Sequence, residues 1–188
     1  MSRAPRAVVV SGASGAGKSA VGAAVAERLG WAFVDADDLH PAANKARMAR
    51  GIPLDDADRM PWLDAVAGAA ATRDAVVACS ALRRLHRDRL RAGVPGVFFV
   101  QLEVSRAELE RRVRERSHEF MPPTLLSSQL ATLEPLAPDE PGVRLAADVP
   151  VADVVTAVVG HLAWDHGGAR RPRRRTAFPS PRSTRLTR

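Results

Sequence analysis

The sequence predicts an α/β fold: a five-stranded parallel sheet with helices on both faces. Three observations carry that expectation. Short valine-rich runs alternate with longer segments of helical periodicity, and strands that alternate with helices build parallel sheets. The first run, Ala7–Ser11, ends in a glycine-rich turn that opens directly into a helix. With 188 residues, 46% hydrophobic and 26% charged, the chain has the size and composition of one globular domain.

In chain order, AVVVS at 7–11 reads as a buried strand. Residues 17–29 read as a helix, because Val21, Ala24, Val25 and Leu29 recur at spacings of three or four and Gly30 follows as a terminator. WAFV at 31–34 is a second strand, leading into Asp35-Ala36-Asp37-Asp38. Residues 40–72 read as helical with a break near Gly51-Ile52-Pro53, and Pro61 suits the first turn of the second piece. AVVAC at 75–79 is a third strand, after which Ser80 is expected to cap a helix running to Arg91 and closed by Gly93. VFFVQL at 97–102 is a fourth strand. Residues 105–116 form a very polar helix with Glu108/Arg112 and Glu110/Arg114 at i,i+4. Residues 117–142 read as a proline-rich loop with a short helix at 125–130; 143–147 is a weaker fifth strand and 151–164 a last helix. Residues 1–165 are thus expected to form one domain, and 166–188 a disordered basic tail.

The net charge of +7 is unevenly placed. Residues 167–188 hold eight arginines and no acid; subtracting those eight charges leaves −1 for residues 1–166. A nucleic-acid-binding fold carries its basic patch on the fold itself, so nucleic acid is expected only as a weak, non-specific partner of the tail. No apolar run approaches the 18 or so residues of a membrane span, and the N-terminus lacks the apolar stretch of a secretory signal. The expected location is the cytoplasm. One cysteine, Cys79, excludes an internal disulfide framework and a multi-cysteine metal site. It reads as a buried strand residue.

Gly12-Ala13-Ser14-Gly15-Ala16-Gly17-Lys18-Ser19 fits G-x-x-x-x-G-K-[ST]. The glycines let backbone N–H groups turn inward around phosphate, and the helix N-terminus adds its positive dipole end. Lys18 stands out further because the chain has 26 arginines and only two lysines. It is placed to reach the β- and γ-phosphates of ATP, with the Ser19 hydroxyl on Mg²⁺. A bare five-strand domain has no room for switch regions, a motor or a ring, so the expected fold is a P-loop kinase fold acting on a small molecule or nucleotide.

The acceptor side follows the second strand. Asp35 and Asp37 form D-x-D, which alternation in an extended segment puts on one side. Asp35 is a candidate Mg²⁺ holder through water, and Asp37 a candidate acceptor for the proton of the attacking hydroxyl; the competing reading is that Asp37 or Asp38 only caps a helix. His40, Arg59 and Arg83 are further acceptor-side candidates. Arginine grips carboxylates through two parallel N–H bonds; the competing reading is a solvated basic face, with Arg84 paired to Asp88 and Arg87 and Arg91 out in solvent. The polar helix and the loop after it read as a mobile lid, from which Arg112 and the candidate catalytic Arg116 swing onto the phosphates and exclude water.

GASGAGKS, then FVDADDLHPAANKARMARGIPLDDADRMPWL, VVACSALRRLHRDRLR and FMPPTLLSSQLATLEP, together resemble gluconokinases of the P-loop type over about residues 7–162. The resemblance implies transfer of the γ-phosphate of ATP to the 6-hydroxyl of D-gluconate, a fold similar to shikimate and nucleoside monophosphate kinases, and a cytosolic homodimer. It supports Gly12–Ser19 for ATP and Mg²⁺, and Asp35, Asp37 and His40 facing the sugar acid. Lys45, Arg59 and Arg83 become candidates for the carboxylate and hydroxyls, with the carboxylate left unassigned among the three, and Gln129 completes the lid or acceptor side. Two departures stand out. The family often reads Asp-Gly-Asp where this chain has Asp35-Ala36-Asp37, and its lid commonly reads Arg-x-Gly-His-Phe-Met where this chain has Arg116-Ser117-His118-Glu119-Phe120-Met121. From the residues alone, a kinase for another sugar acid or polyol stays open, as does a nucleotide-switched protein that binds nucleic acid through the tail.

Overall fold

The computed structural model describes residues 6–115 and 123–165. Five parallel strands, β1 (Ala7–Ser11), β2 (Ala32–Asp35), β3 (Ala75–Ala78), β4 (Phe98–Glu103) and β5 (Gly142–Ala146), form one sheet in the order β2-β3-β1-β4-β5. Val9 lies opposite Val77 on one side and Phe99 on the other, and Val100 opposite Val143. The helices are α1 (Lys18–Leu29), α2 (Ala42–Ala49), α3 (Asp56–Ala70), α4 (Arg84–Gly93), α5 (Arg106–Glu115), α6 (Pro123–Thr132) and α7 (Val151–Asp165). No helix among the described residues is long and apolar enough to cross a membrane.

Strand alternation divides the core. Val8 and Val10 of β1 face α1 and α7, where Val21, Val25, Val154 and Val158 are buried. Ala7 and Val9 face the opposite layer, with Trp62, Leu63 and Val66 of α3 and Leu90 of α4. This two-sided burial is why the central strands are runs of valine rather than alternating patterns.

Several boundaries differ from the sequence expectation, each for a physical reason. Pro61 does not begin a helix; it lies inside α3, which starts at a reciprocal cap in which the Asp58 N–H donates to Asp55 and the Asp55 N–H donates to Asp58. Two satisfied N-terminal donors outweigh the single bond to the Ala57 carbonyl that proline cannot make. Ser80 does not cap α4. The chain first passes through Ala81, a buried residue at φ +36°, and the helix begins at Arg84, whose N–H donates to the Glu134 carboxylate at 2.6 Å. That cap comes from 50 residues further along the chain. Arg87 is not on a solvated face. It is fully buried, with Nε 2.6 Å and Nη2 2.9 Å from the Glu140 carboxylate and Nη1 donating to the carbonyls of Ala81, Leu82 and Glu134. On α5, Glu108 pairs with Arg112 as expected, while Glu110 pairs with Arg106.

Candidate active site

The carboxyl ends of β1, β2 and β3 converge on one edge of the sheet, where open α/β folds bind ligands. From β1 the chain enters the loop at 12–17, with Gly12, Gly15 and Gly17 at φ +146°, +80° and +92°, a region that side-chain-bearing residues rarely adopt. Close approach adds a second constraint: a Cβ on Gly12 would lie 3.1 Å from the Leu102 carbonyl, and one on Gly15 3.2 Å from Val113. The loop thus curls its N–H groups inward ahead of the α1 N-terminus, and the Gly12 N–H donates to the Ser80 carbonyl, fastening it to the end of β3. Lys18 folds back over it, with Nζ 3.1 Å from the Ala13 carbonyl.

The Ser19 hydroxyl donates to Asp35 Oδ2 at 2.7 Å. Asp35 closes β2 and spends its other oxygen on the Asp37 N–H at 3.1 Å, capping a short 3₁₀ turn at Ala36–Leu39. The segment is therefore coiled rather than extended, and the cap is Asp35. Asp37, freed from capping, lines a small cavity with Lys18, His40, Arg59, Ser80 and Gln129. The Asp37 side chain sits at the cavity mouth and keeps 64% of its exposure; partial desolvation there raises its pKa above the ordinary carboxylate value, Lys18 opposes this, and Asp35 and Asp38 add to it.

His40 is buried and stacked on Trp62, with ring centroids 4.1 Å apart and planes 11° from parallel. Trp62 is itself fixed by donating its indole N–H to the Ala36 carbonyl at 2.7 Å. Burial, with the positive fields of Arg59 and Lys45, lowers the His40 pKa to about 4, so the ring is neutral near pH 7. Its Nε2 lies 3.9 Å from Asp37 Oδ1, and its buried Nδ1 has no hydrogen-bond partner among the described residues. A polar atom left in that condition costs about 1–3 kcal/mol unless a ligand or water meets it.

Arg59 donates Nε to the Leu54 carbonyl at 3.3 Å and forms no ion pair among the described residues; burial lowers its pKa. Arg83 is engaged elsewhere, paired with Asp56 and Glu134, and does not line the cavity. Lys45 also lies outside the lining; it donates to the Asp38 carbonyl at 3.1 Å and reaches the site only through its field. Gln129, on α6, accepts from the Ser14 N–H at 2.7 Å. Arg112 donates to the Gly15 carbonyl at 3.4 Å and the Ala147 carbonyl at 3.0 Å, which seats α5 on the phosphate loop. Arg116 and the altered lid at 117–119 lie outside the described residues, as does the segment 166–188.

Of the sequence candidates, the structure brings together Gly12–Ser19, Asp35, Asp37, His40, Arg59 and Gln129. It adds Ser80 and Trp62. Trp62 is visible in sequence only as one more apolar residue at helical spacing, and nothing local marks Ser80 as a site residue. Cys79 lies one residue past the end of β3 rather than within it, and it is buried as expected, its thiol pushed up to about 12 by desolvation.

A family model described as an AAA domain matches residues 8–136. The chain is 42% identical over 163 residues to a gluconokinase of Gluconobacter oxydans (strain 621H), covering 84% of this chain and 92% of that one. A crystal structure of a gluconokinase from Sinorhizobium meliloti 1021 superposes with a TM-score of 0.76 at 40% identity, covering 88% of this chain and 99% of that one. A sugar kinase from Janibacter sp. HTCC2649 gives a TM-score of 0.80 at 42% identity, covering 85% and 95%. The strand order, the phosphate loop and the acidic turn after β2 occur here in a sequence that runs in parallel with such enzymes over nearly the whole fold, and the chain belongs to the gluconokinase family of P-loop kinases.

Proposed function

We propose that the protein phosphorylates D-gluconate at its 6-hydroxyl with ATP and Mg²⁺, giving 6-phospho-D-gluconate and ADP. The observation that carries this beyond family membership is the polarity of the acceptor cavity. A carboxylate, Asp37, lies in the field of Lys18 at the phosphate loop, while a guanidinium with no acid partner among the described residues, Arg59, lies in the field felt by His40. An open-chain polyol with a carboxylate at one end and a primary hydroxyl at the other matches that pattern.

Each residue's work follows from its surroundings. The loop at 12–19 holds the phosphates through the N–H groups it does not spend internally, and Lys18 reaches the transferred group. Asp37 accepts a hydrogen bond from the 6-hydroxyl and takes its proton as the new O–P bond forms and the bond from the γ-phosphorus to the departing ADP breaks; its raised pKa favours that role. Neutral His40 offers its orphaned Nδ1 to a sugar hydroxyl. Arg59 takes the carboxylate, the role Arg83 is less suited to because two carboxylates already hold it. Ser19 and Asp35 supply two hard oxygens beside the phosphate loop, the donor type Mg²⁺ selects. Among the described residues no cluster of three or more His, Cys, Asp or Glu is placed to hold a metal by itself, which suits an ion shared with substrate phosphates. Held by Ser19 and Asp35, Mg²⁺ would supply charge neutralisation for the transferring phosphate. The family resemblance further supports a cytoplasmic homodimer, an assembly that light scattering reads directly.

The test is ADP release with ATP and Mg²⁺ against D-gluconate, other aldonic acids, shikimate, simple polyols and nucleoside monophosphates. Turnover dominated by D-gluconate is expected. Turnover dominated by another acceptor reassigns Asp37, His40 and Arg59 to that substrate, and turnover with none removes the kinase reading.

A further inference from the structure

The acceptor cavity has a volume of only about 30 Å³. That space admits only a few water molecules, whereas cavities that take small organic ligands run to about 300 Å³ or more. One of its walls is α6, through Leu125, Ser128 and Gln129. The same Gln129 reaches the phosphate loop, where its carbonyl oxygen accepts the Ser14 N–H at 2.7 Å. Ser14 belongs to that loop, whose Gly12 and Ala16 N–H groups are held by the Ser80 and Ala13 carbonyls, and in this arrangement its own N–H is engaged as well. Gln129 is 8% exposed and Ser14 is half-buried, so the bond is part-buried.

We propose that Gln129 is a positioning residue that latches α6 over the acceptor cavity and at the same time withholds the Ser14 N–H from phosphate. The proposal rests on the kinase reading. An acceptor larger than a few waters enters only when a wall moves, and α6 is the wall that is also bonded to the phosphate loop. Displacing α6 draws the Gln129 oxygen off Ser14 and returns that N–H to the phosphate loop. Acceptor and nucleotide therefore strengthen each other's binding, and by linkage the factor is the same in both directions. The latch also gives the empty site a wall against solvent, which limits ATP hydrolysis without acceptor.

The test is isothermal titration of a non-hydrolysable ATP analogue with Mg²⁺, with and without saturating D-gluconate, in the wild type, Gln129→Met and Gln129→Glu. Methionine keeps the length of the side chain and removes the oxygen. In the wild type, D-gluconate should tighten nucleotide binding about tenfold, within the usual range of coupling between sites. In Gln129→Met the nucleotide alone should bind about tenfold tighter than to the wild type, and D-gluconate should add less than about twofold. Gln129→Glu keeps an acceptor oxygen and should restore the coupling ratio at a lower overall nucleotide affinity. Weaker acceptor-free nucleotide binding in Gln129→Met, or an undiminished ratio, overturns the latch. The acceptor-free arm does not depend on the acceptor's identity. Wild-type protein that binds nucleotide but not D-gluconate therefore removes the substrate assignment and leaves the latch to be judged by that arm. If Gln129→Met does not fold, hydrogen exchange at the Ser14 amide in the wild type decides. Faster exchange on adding D-gluconate alone is expected, and unchanged exchange refutes the proposal.

Discussion

His40 shows how a single side chain can be held in a state its free form would not keep. Stacking on Trp62 strips water from the imidazole, and the cations Arg59 and Lys45 penalise its protonation further. The folded-state pKa, about 4, lies below the ordinary value of 6.5, so between those limits the unfolded chain binds more protons than the folded one. Stability is then fully present above pH 6.5 and falls as pH drops toward 4. His86, whose pKa is lowered chiefly by burial, contributes with the same sign. Thermal midpoints measured from pH 7 to 4 should decline, and the decline should be shallower in His40→Phe; an equal slope would mean that His40 is not held neutral by its surroundings. Asp37 and Lys18 are tested by kinetics. Asp37→Asn should lower kcat by about 10²- to 10⁴-fold, the usual worth of a positioned base, with KM for ATP changed less than about threefold. Preserved kcat would leave Asp37 no role in proton transfer. Lys18→Ala should abolish transfer while the protein keeps its far-ultraviolet circular dichroism, because Lys18 is the first residue of α1 and its bond from Nζ to the Ala13 carbonyl is local, spanning five residues. At this scale the sequence is informative where chemistry demands a residue type at a fixed spacing, as in Gly12–Ser19 and D-x-D. It does not separate Arg59 from Arg83, because the distinction lies in which cation already has acid partners, and those of Arg83 come from distant parts of the chain; Lys45 is set apart instead by lying outside the cavity lining.

Helix α4 and the segment at 134–140 show the same limit for whole elements. The periodicity correctly predicts a helix after β3, but its first residue is set by the Glu134 carboxylate, and one of its arginines is buried against Glu140. Burial alone would raise the Glu140 pKa; the hydrogen bonds from Arg87 and the Ala137 N–H hold it below the ordinary value. Gln101 of β4 adds to the same assembly, donating to the Glu134 carbonyl and accepting the Leu136 N–H. These bonds tie α4 and β4 to the segment after α6. Truncating one side of such a pair leaves a buried charge unmatched. Arg87→Met or Glu140→Gln should therefore cost about 3–5 kcal/mol in denaturant unfolding, while combining Arg87→Met with Glu140→Leu should recover part of that loss. A single substitution costing less than about 1 kcal/mol would show that water reaches the pair. Helix identities are readable because amphipathic spacing is local. Starting residues are not, because caps such as Glu134 are supplied across 50 residues of sequence.

For the molecule as a whole, the core closes within the described residues. On one face of the sheet, α7 completes the layer with Val154, Val158 and Leu162 packed against α1 and β1, and on the other α3 and α4 complete theirs. The residues that build the phosphate loop and the acceptor cavity all precede α7. The chain beyond Asp165 adds eight arginines, no acid, and as large apolar side chains only Phe178 and Leu186, too little to extend either layer. We therefore propose that residues 1–165 are the catalytic domain, and that a chain ending at Asp165 keeps kcat/KM for the acceptor within about twofold, an effect below that of losing one ordinary contact. Its net charge changes from +7 to −1 on removing those eight arginines, so any retention of the full chain on a polyanionic resin at low salt should disappear with the truncation. The two readouts separate the roles. A loss of activity above tenfold would make the C-terminal residues part of the kinase domain, whereas unchanged activity with lost polyanion binding would make them an accessory to a domain that is complete without them.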